Sequence, residues 1–117
     1  MILPRFNTIQ ELQNFIVNCD ENLQVNPGLF TDTAIWYRNF YFAQIFSNIV
    51  DFYRVYFDET TKKSYKRKVF TEDIENISEQ LIKHLCRLYE DELEYVLRRI
   101  KETKAAQMLD QIRSDFD

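Results

Sequence analysis

The chain contains very little glycine and proline. Among its 117 residues, glycine occurs once, at Gly28, and proline occurs twice, at Pro4 and Pro27. Folds with many β-turns need more of both residues, because glycine supplies positive φ angles and proline presets turn geometry. The scarcity predicts few, long secondary-structure elements. A single glycine also excludes a glycine-rich phosphate-binding loop.

Cysteine and histidine are equally scarce. Cys19 and Cys86 are too few for a disulfide framework and lack the spacing of a metal site. They predict free thiols in a reducing, intracellular compartment, either cytoplasm or nucleus. His84 is the only histidine, whereas serine–histidine, cysteine–histidine and two-histidine sites need it or need more than one. We therefore expect no enzymatic activity, no metal site and no cofactor.

Long hydrophobic runs are also missing. The longest uncharged stretch in the most apolar region is 39–50, short of the roughly 20 apolar residues that cross a bilayer. Residues 1–6 show no basic region followed by an apolar core, so no signal peptide is predicted. The net charge of −4 gives no overall attraction to nucleic acids or anionic membranes.

The first feature that is present is apolar periodicity near the N-terminus. Thr8 followed by Glu11 fits a capping box. Apolar residues then recur at every third or fourth position, which predicts a helix over 9–24. Pro27-Gly28, the strongest turn signal in the chain, is predicted to end this part of the fold.

A second helix is predicted over 33–58, capped by Thr31 or Asp32. Its apolar arc is very wide, which is typical of a helix in the middle of a bundle or of one that offers a second face to a partner. The β-branched and aromatic content raises strands as an alternative. The length without turn residues and the spaced polar stripe favour the helix.

The third segment is basic and then helical. Residues 59–70 are predicted to be a basic connection without apolar periodicity, after which Thr71 can cap a helix over 71–114. At 1.5 Å per residue this helix would be about 65 Å long, longer than its own domain. It is therefore expected to break near Thr103–Lys104, or to pack its overhang on another chain.

Together these patterns predict an all-α fold: a compact bundle of about four helices with a long C-terminal helical segment. It is expected to form a single helical domain over 1–117. Small helical modulators and assembly subunits of viruses and phages have a similar size and composition. No motif in this sequence links it to a particular family. The residues predicted to be buried together are Leu12, Ile16, Phe46, Ile49, Leu81, Leu85 and Leu88.

Aromatic residues point to a binding function. Eleven of the eighteen aromatics lie within 30–57, more than a small bundle readily covers, and aromatics dominate the hot spots of interfaces. The chain is thus predicted to be a non-catalytic protein–protein interaction protein: an adaptor, an assembly subunit or an inhibitor of another protein. Its partner is another protein or a second copy in a homodimer. The residues predicted to bind it are Trp36, Tyr37, Tyr41, Tyr53, Tyr56, Met108, Leu109 and Ile112.

Two alternatives stay open. The first is nucleic-acid binding, because clustered cations with an aromatic among them can hold phosphates and stack bases. Its candidate residues are Lys62, Lys63, Tyr65, Lys66, Arg67 and Lys68. The second is a carrier of a small hydrophobic ligand, which would use the same aromatic surface as a cavity lining.

Overall fold

The structure, a computed structural model, describes residues 6–25 and 33–116, with side chains through Ser114. Two helices flank a run of strands, and a 3₁₀ turn at Ile74–Asn76 precedes the second helix. The elements in chain order are α1 (Ile9–Val17), β1 (Leu23–Val25), β2 (Ala34–Tyr37), β3 (Phe40–Phe46), β4 (Ile49–Asp58), β5 (Lys63–Asp73) and α2 (Glu79–Phe116).

The described part of the chain is a mixed α/β fold, and the prediction of an all-α, four-helix bundle is wrong. The five strands form one antiparallel sheet in chain order, each strand hydrogen-bonded to the next. The segment 33–58, predicted to be one helix, contains β2, β3 and β4. Its β-branched and aromatic residues fit a pleated surface packed on one side by a helix.

Tight turns without glycine explain why the sequence predicts a helix here and not strands. Arg38 and Asn39 join β2 to β3, and both have positive φ angles, 48° and 73°. This is the backbone of a type I′ hairpin turn, for which asparagine is among the better non-glycine residues. Ser47, between β3 and β4, has a φ of 49°, and Lys62, before β5, has a φ of 60°. Scarce glycine therefore does not exclude hairpins here.

A break in strand register also hides the two-residue period. Between β2 and β3, Ile35 pairs with Ala43 but Trp36 pairs with Tyr41, which leaves Phe42 as an extra residue on β3. Phe42 and Ala43 are both buried. The two adjacent residues of a β-bulge often point to the same face of a sheet, which explains how both can be buried. The strand therefore does not alternate cleanly between apolar and polar residues.

The first helix begins where the sequence predicts. Thr8 Oγ1 accepts a hydrogen bond from the Glu11 backbone N–H at 3.1 Å, and Glu11 Oε2 accepts one from the Asn7 N–H at 2.9 Å. The predicted end of the helix is wrong, because α1 stops at Val17 and 23–25 is strand β1. The predicted Pro27-Gly28 turn and the Thr31 or Asp32 cap lie outside the described residues.

The long C-terminal helix exists, but it begins later than predicted. Thr71 belongs to β5, and α2 starts at Glu79 after Ser78, whose Oγ accepts from the Leu81 N–H at 3.1 Å. The predicted break near Thr103–Lys104 is wrong, since α2 is continuous for 38 residues. That length corresponds to about 57 Å.

One hydrophobic core joins α1, the sheet and α2. Of the predicted core residues, Leu12 and Ile16 are fully buried and Leu81 and Leu85 are half-buried against the core. Ile49 and Leu88 are also half-buried. Phe46 was predicted to be buried, but it is 47% exposed at the end of β3, beside the Ser47 turn.

Candidate interaction surfaces

A bidentate ion pair fixes the turn between β4 and β5 to α2. Arg99 donates from Nε to Glu59 Oε1 at 3.0 Å and from Nη2 to Glu59 Oε2 at 2.7 Å. Tyr95 and Lys62 donate to the same carboxylate at 3.2 and 3.1 Å. The hydrogen bonds from Arg99 and Lys62 lower the pKa of Glu59 to about 2. The far end of the sheet is thereby fixed to α2 at the level of Arg99.

Beyond this ion pair α2 continues without the sheet. We call residues 104–116 the α2 extension; thirteen helical residues span about 20 Å. Every side chain from Lys104 to Ser114 is exposed. Three of them are large and apolar: Met108 is 63% exposed, Leu109 56% and Ile112 48%. Large apolar side chains clustered on an exposed helix are typical of a binding surface.

The apolar side of the α2 extension does not continue the side that packs on the sheet. The buried residues of α2 include Tyr89, Leu93 and Val96, and the same spacing leads on to Gln107 and Asp110, which are polar. With 3.6 residues per turn, the stripe of Ala105, Met108, Leu109 and Ile112 lies roughly 140° around the helix from that side. The exposed stripe is therefore a second, separate face of α2.

The predicted aromatic residues of the sheet divide between its two faces. Trp36-Tyr37 on β2 and Tyr41-Phe42 on β3 are consecutive pairs, and neighbours in a strand point to opposite faces. Tyr37 and Phe42 pack against Tyr89 of α2, with ring centroids 5.2 and 5.5 Å away. Tyr37 is only 2% exposed, and its hydroxyl donates to Glu90 Oε2 at 2.5 Å. Tyr37 is thus a core residue and not part of a surface.

The other face carries an aromatic row of Trp36, Tyr41 and Tyr53. Tyr41 makes edge contacts with both neighbours, at 5.3 Å to Trp36 and 4.7 Å to Tyr53. The Lys66 ammonium lies 4.1 Å from the centroid of Tyr41, as a cation–π contact requires. The three rings are half-buried by one another. The indole Nε1 of Trp36 is buried and has no hydrogen-bond partner within the described ranges.

The predicted partner-binding residues therefore do not form one surface. Met108, Leu109 and Ile112 lie together on the α2 extension. The aromatic row lies on the sheet, and Tyr56 is exposed elsewhere on β4, stacked on Tyr65 of β5 at 5.7 Å. From Glu90, which contacts β2, to Met108 the axis of α2 rises by about 27 Å. Periodicity alone does not show this separation, because it predicts one helix over 33–58, where the structure has three strands.

The basic segment is a strand rather than a loop. The residues Lys63, Lys66, Arg67 and Lys68 all lie on β5, at the edge of the sheet, while Lys62 lies in the turn before it. Lys62 forms an ion pair with Glu59 at 3.1 Å. The four cations on β5 form no ion pair with any described carboxylate. Edge strands often carry lysines because charge deters pairing with another chain.

The structure offers little to the ligand-carrier alternative. A surface cavity of about 370 Å³ lies between β4 and α2, and two of its lining residues are the carboxylates Asp91 and Glu92. The remaining lining residues are Val55, Tyr56, Phe57, Tyr95 and Val96.

Within 6–25 and 33–116 no cluster of three or more histidine, cysteine, aspartate or glutamate residues could hold a metal ion. No described helix combines the length and the apolar character needed to span a membrane.

The fold defines a class, an antiparallel five-stranded sheet with a long helix packed on it. Comparison of the chain with family models, with curated proteins and with solved structures finds no match in any of the three.

Proposed function

We propose that the protein is a non-catalytic interaction protein that assembles with a second copy of itself through the α2 extension. The observation that carries the proposal is the exposed stripe of Met108, Leu109 and Ile112, on the part of α2 that extends beyond the sheet. An isolated helical segment of about 13 residues is marginally stable in water. Packing this apolar face on a partner would remove its side chains from water and stabilise the helix.

The stripe is self-complementary in an antiparallel arrangement. In a two-fold pair centred between residues 108 and 109, Met108 of one copy faces Leu109 of the other, and Ala105 faces Ile112. Each small residue then meets a large one, as interdigitating layers require. In a parallel pair Ala105 would face Ala105, which leaves a gap in the apolar seam.

The charges beside the stripe favour the same orientation. Glu102 and Arg113 lie on one flank of the stripe, near its opposite ends, as their helical positions show. An antiparallel pair brings Glu102 of one copy close to Arg113 of the second copy, and a two-fold axis repeats the contact. In a parallel two-fold pair the flank that carries both charges would lie on opposite sides of the seam in the two copies, and Glu102 would be about 17 Å from Arg113 along the axis, so no such contact forms. Such ion pairs at an exposed seam set orientation more than they add affinity.

The size of the surface sets the expected strength. Lasting protein interfaces bury about 1,200–2,000 Å² in total, and two segments of this length lie at or below the lower end of that range. We therefore expect a dynamic dimer with a dissociation constant on the order of ten micromolar. Its population should depend strongly on protein concentration.

Sedimentation equilibrium of the full chain tests the proposal. From about 1 to 200 µM, the mass of the unmodified protein should rise from the monomer value towards twice that value. Leu109→Glu should remain a monomer throughout, because it places a charge in the apolar seam. Gln107→Glu adds the same charge on the opposite side of the helix and should associate normally. A monomer mass for the unmodified protein at about 200 µM would overturn self-assembly.

A further inference from the structure

The outer edge of β5 is open for strand pairing. β5 is the last strand of the sheet, so one side pairs with β4 and no described strand pairs with the other side. Its register with β4 is regular from Lys63 to Lys68, ahead of the irregularity opposite Phe52 and Tyr53. Along this stretch, backbone N–H and C=O groups point outward from alternate residues. Six residues suffice for a typical strand.

Cations stand on both faces of this edge. Because neighbours in a strand alternate, Lys63 and Arg67 lie on one face, whereas Lys66 and Lys68 lie on the other. All four side chains are exposed and form no ion pair with a described carboxylate. The whole chain carries −4 and 62–68 carries +5, so the rest of the chain carries −9. The positive charge is thus concentrated on one edge of an otherwise acidic protein.

We propose that β5 binds an acidic, extended segment of a partner protein, which adds to the sheet as a sixth strand. A peptide strand supplies both donors and acceptors, so it satisfies the N–H and C=O groups of the open edge together. Glutamate or aspartate at its successive positions would meet the cations on both faces, and cross-strand pairs of opposite charge stabilise a ladder. The surface selects for an acidic sequence.

The same charges exclude pairing of β5 with β5 of a second copy. An antiparallel β5–β5 ladder would place lysines and arginines directly opposite one another, which is destabilising. The edge is therefore protected against self-association and left available to an acidic strand. The edge of β5 and the α2 extension therefore have different proposed partners. The edge takes an acidic strand, whereas the α2 extension pairs with a second copy of the protein.

A nucleic acid fits the edge less well. Phosphate oxygens accept hydrogen bonds but do not donate them, so they leave the outward C=O groups of β5 unpaired. A long polyanion would also meet the −9 charge of the remaining chain beyond the strand. The feature that favours nucleic acid is the exposed stack of Tyr56 on Tyr65, since bases stack on such rings. An oligonucleotide is therefore one arm of the test.

The test measures fluorescence anisotropy with three labelled probes and the full chain at about 50 mM salt, where charge attraction is only partly screened. The first probe is a ten-residue peptide in which pairs of consecutive glutamates are separated by single threonine or valine residues, so that both faces of its strand carry glutamate. The second has the same sequence with N-methyl groups on alternate backbone nitrogens, which removes strand hydrogen bonds but keeps the charge. The third is a ten-nucleotide oligothymidylate.

The first probe should bind, and the N-methylated peptide and the oligonucleotide should bind at least tenfold more weakly. Arg67→Glu should weaken binding of the first probe about fivefold, because an attractive cross-strand pair becomes repulsive. Arg87→Glu makes the same charge change on the exposed surface of α2 and should weaken binding of the first probe less than twofold. In hydrogen exchange, alternate amides of β5 should gain protection.

Three results would overturn the inference. Equal binding of the N-methylated peptide would show charge attraction without strand addition, and tighter binding of oligothymidylate would show a nucleic-acid site. No binding of the first probe would show that the cations only protect the edge against pairing with another strand and do not recruit an acidic one. The inference relies on the protein being an interaction protein but not on self-assembly. Leu109→Glu, a monomer by design, should bind the first probe like the unmodified protein, so the two failures are distinguishable.

Discussion

Arg99 of α2 holds both carboxylate oxygens of Glu59, with hydrogen bonds of 3.0 and 2.7 Å, at the turn between β4 and β5. The two residues are forty positions apart, and their pairing marks where the sheet ends along the helix. On one side of Arg99 the helix packs on the core; on the other it extends for more than three turns with exposed side chains. This division of α2 leaves the side chains of its C-terminal turns exposed, and the proposed dimer uses them.

Glu59→Gln should reduce stability in a pH-dependent way. The carboxyl pKa falls from 4.5 to about 2 in the folded protein, because Arg99 and Lys62 hydrogen-bond to the charged form. A lowered folded pKa contributes stability above pH 4.5, and that contribution is lost as the pH falls towards 2. In urea unfolding at pH 7, the free energy of unfolding of the unmodified protein should therefore be larger than that of the variant. At pH 3 this difference should be smaller.

The control for that experiment is Glu75→Gln, on the 3₁₀ turn, because Glu75 forms no ion pair within the described residues. At pH 7 its free energy of unfolding should differ from that of the unmodified protein by less than the Glu59→Gln value does, because no ion pair is lost. A Glu59→Gln difference that did not shrink at pH 3 would show that the ion pair makes no net contribution, as occurs for many exposed pairs.

Two phenylalanines of β3 should differ sharply on truncation. Phe42 is buried against Phe52 and Tyr89, so Phe42→Ala should lower the free energy of unfolding by about 3–5 kcal/mol. Phe46, on the same strand, is 47% exposed, so Phe46→Ala should cost less than about 1 kcal/mol. Chemical denaturation of both variants decides the matter. A larger cost at Phe46 would contradict the sheet register.

Tyr37→Phe should remove a hydrogen bond between β2 and α2. The Tyr37 hydroxyl is buried and donates to the Glu90 carboxylate, and burial together with this carboxylate raises the pKa of the phenol. Because the acceptor is charged, the loss should be about 1.5–3 kcal/mol. Tyr95→Phe removes an exposed hydroxyl that donates to Glu59, and should cost less than about 0.5 kcal/mol. Equal costs for both variants in urea unfolding would refute the distinction.

The helices were predictable from sequence because their signals are local. Thr8 and Glu11 are three residues apart and form the predicted cap, and the apolar spacing of α2 is regular over many turns. Strand pairing depends instead on residues far apart in the chain. The turns at Arg38-Asn39 and Ser47 use positive φ angles without glycine, and the extra residue Phe42 disturbs the alternation on β3. Both features removed the usual signals of a sheet.

The candidate surfaces were predictable in part for the same reason. Met108, Leu109 and Ile112 are close in sequence and share one side of a helix, so helical spacing alone groups them. The sequence shows the cations of 62–68 as a cluster, but their position on an edge strand depends on the pairing of β5 with β4. The sequence predicts a surface position for Tyr37 because nothing local distinguishes it from Trp36. Only its packing against Tyr89 does so.

The proposed pairing of two α2 extensions is tested most directly by cysteine cross-linking. In a Cys19→Ser background, single cysteines replace Ala105, Met108, Asp110 or Ile112. Cys86 does not interfere, because it is buried and burial raises the pKa of its thiol. Mild oxidation then forms a disulfide only where two cysteines approach within roughly 4.4–6.8 Å between Cα atoms.

An antiparallel pair centred between residues 108 and 109 predicts a specific pattern. Met108→Cys should cross-link to its own copy. Ala105→Cys and Ile112→Cys should each fail alone, since their own copies lie about 10 Å apart along the axis, yet cross-link when the two variants are mixed. Asp110→Cys, on the opposite side of the helix, should not cross-link. Self-cross-linking of Ala105→Cys and Ile112→Cys, or a Met108→Cys yield no greater than that of Asp110→Cys, would contradict the account.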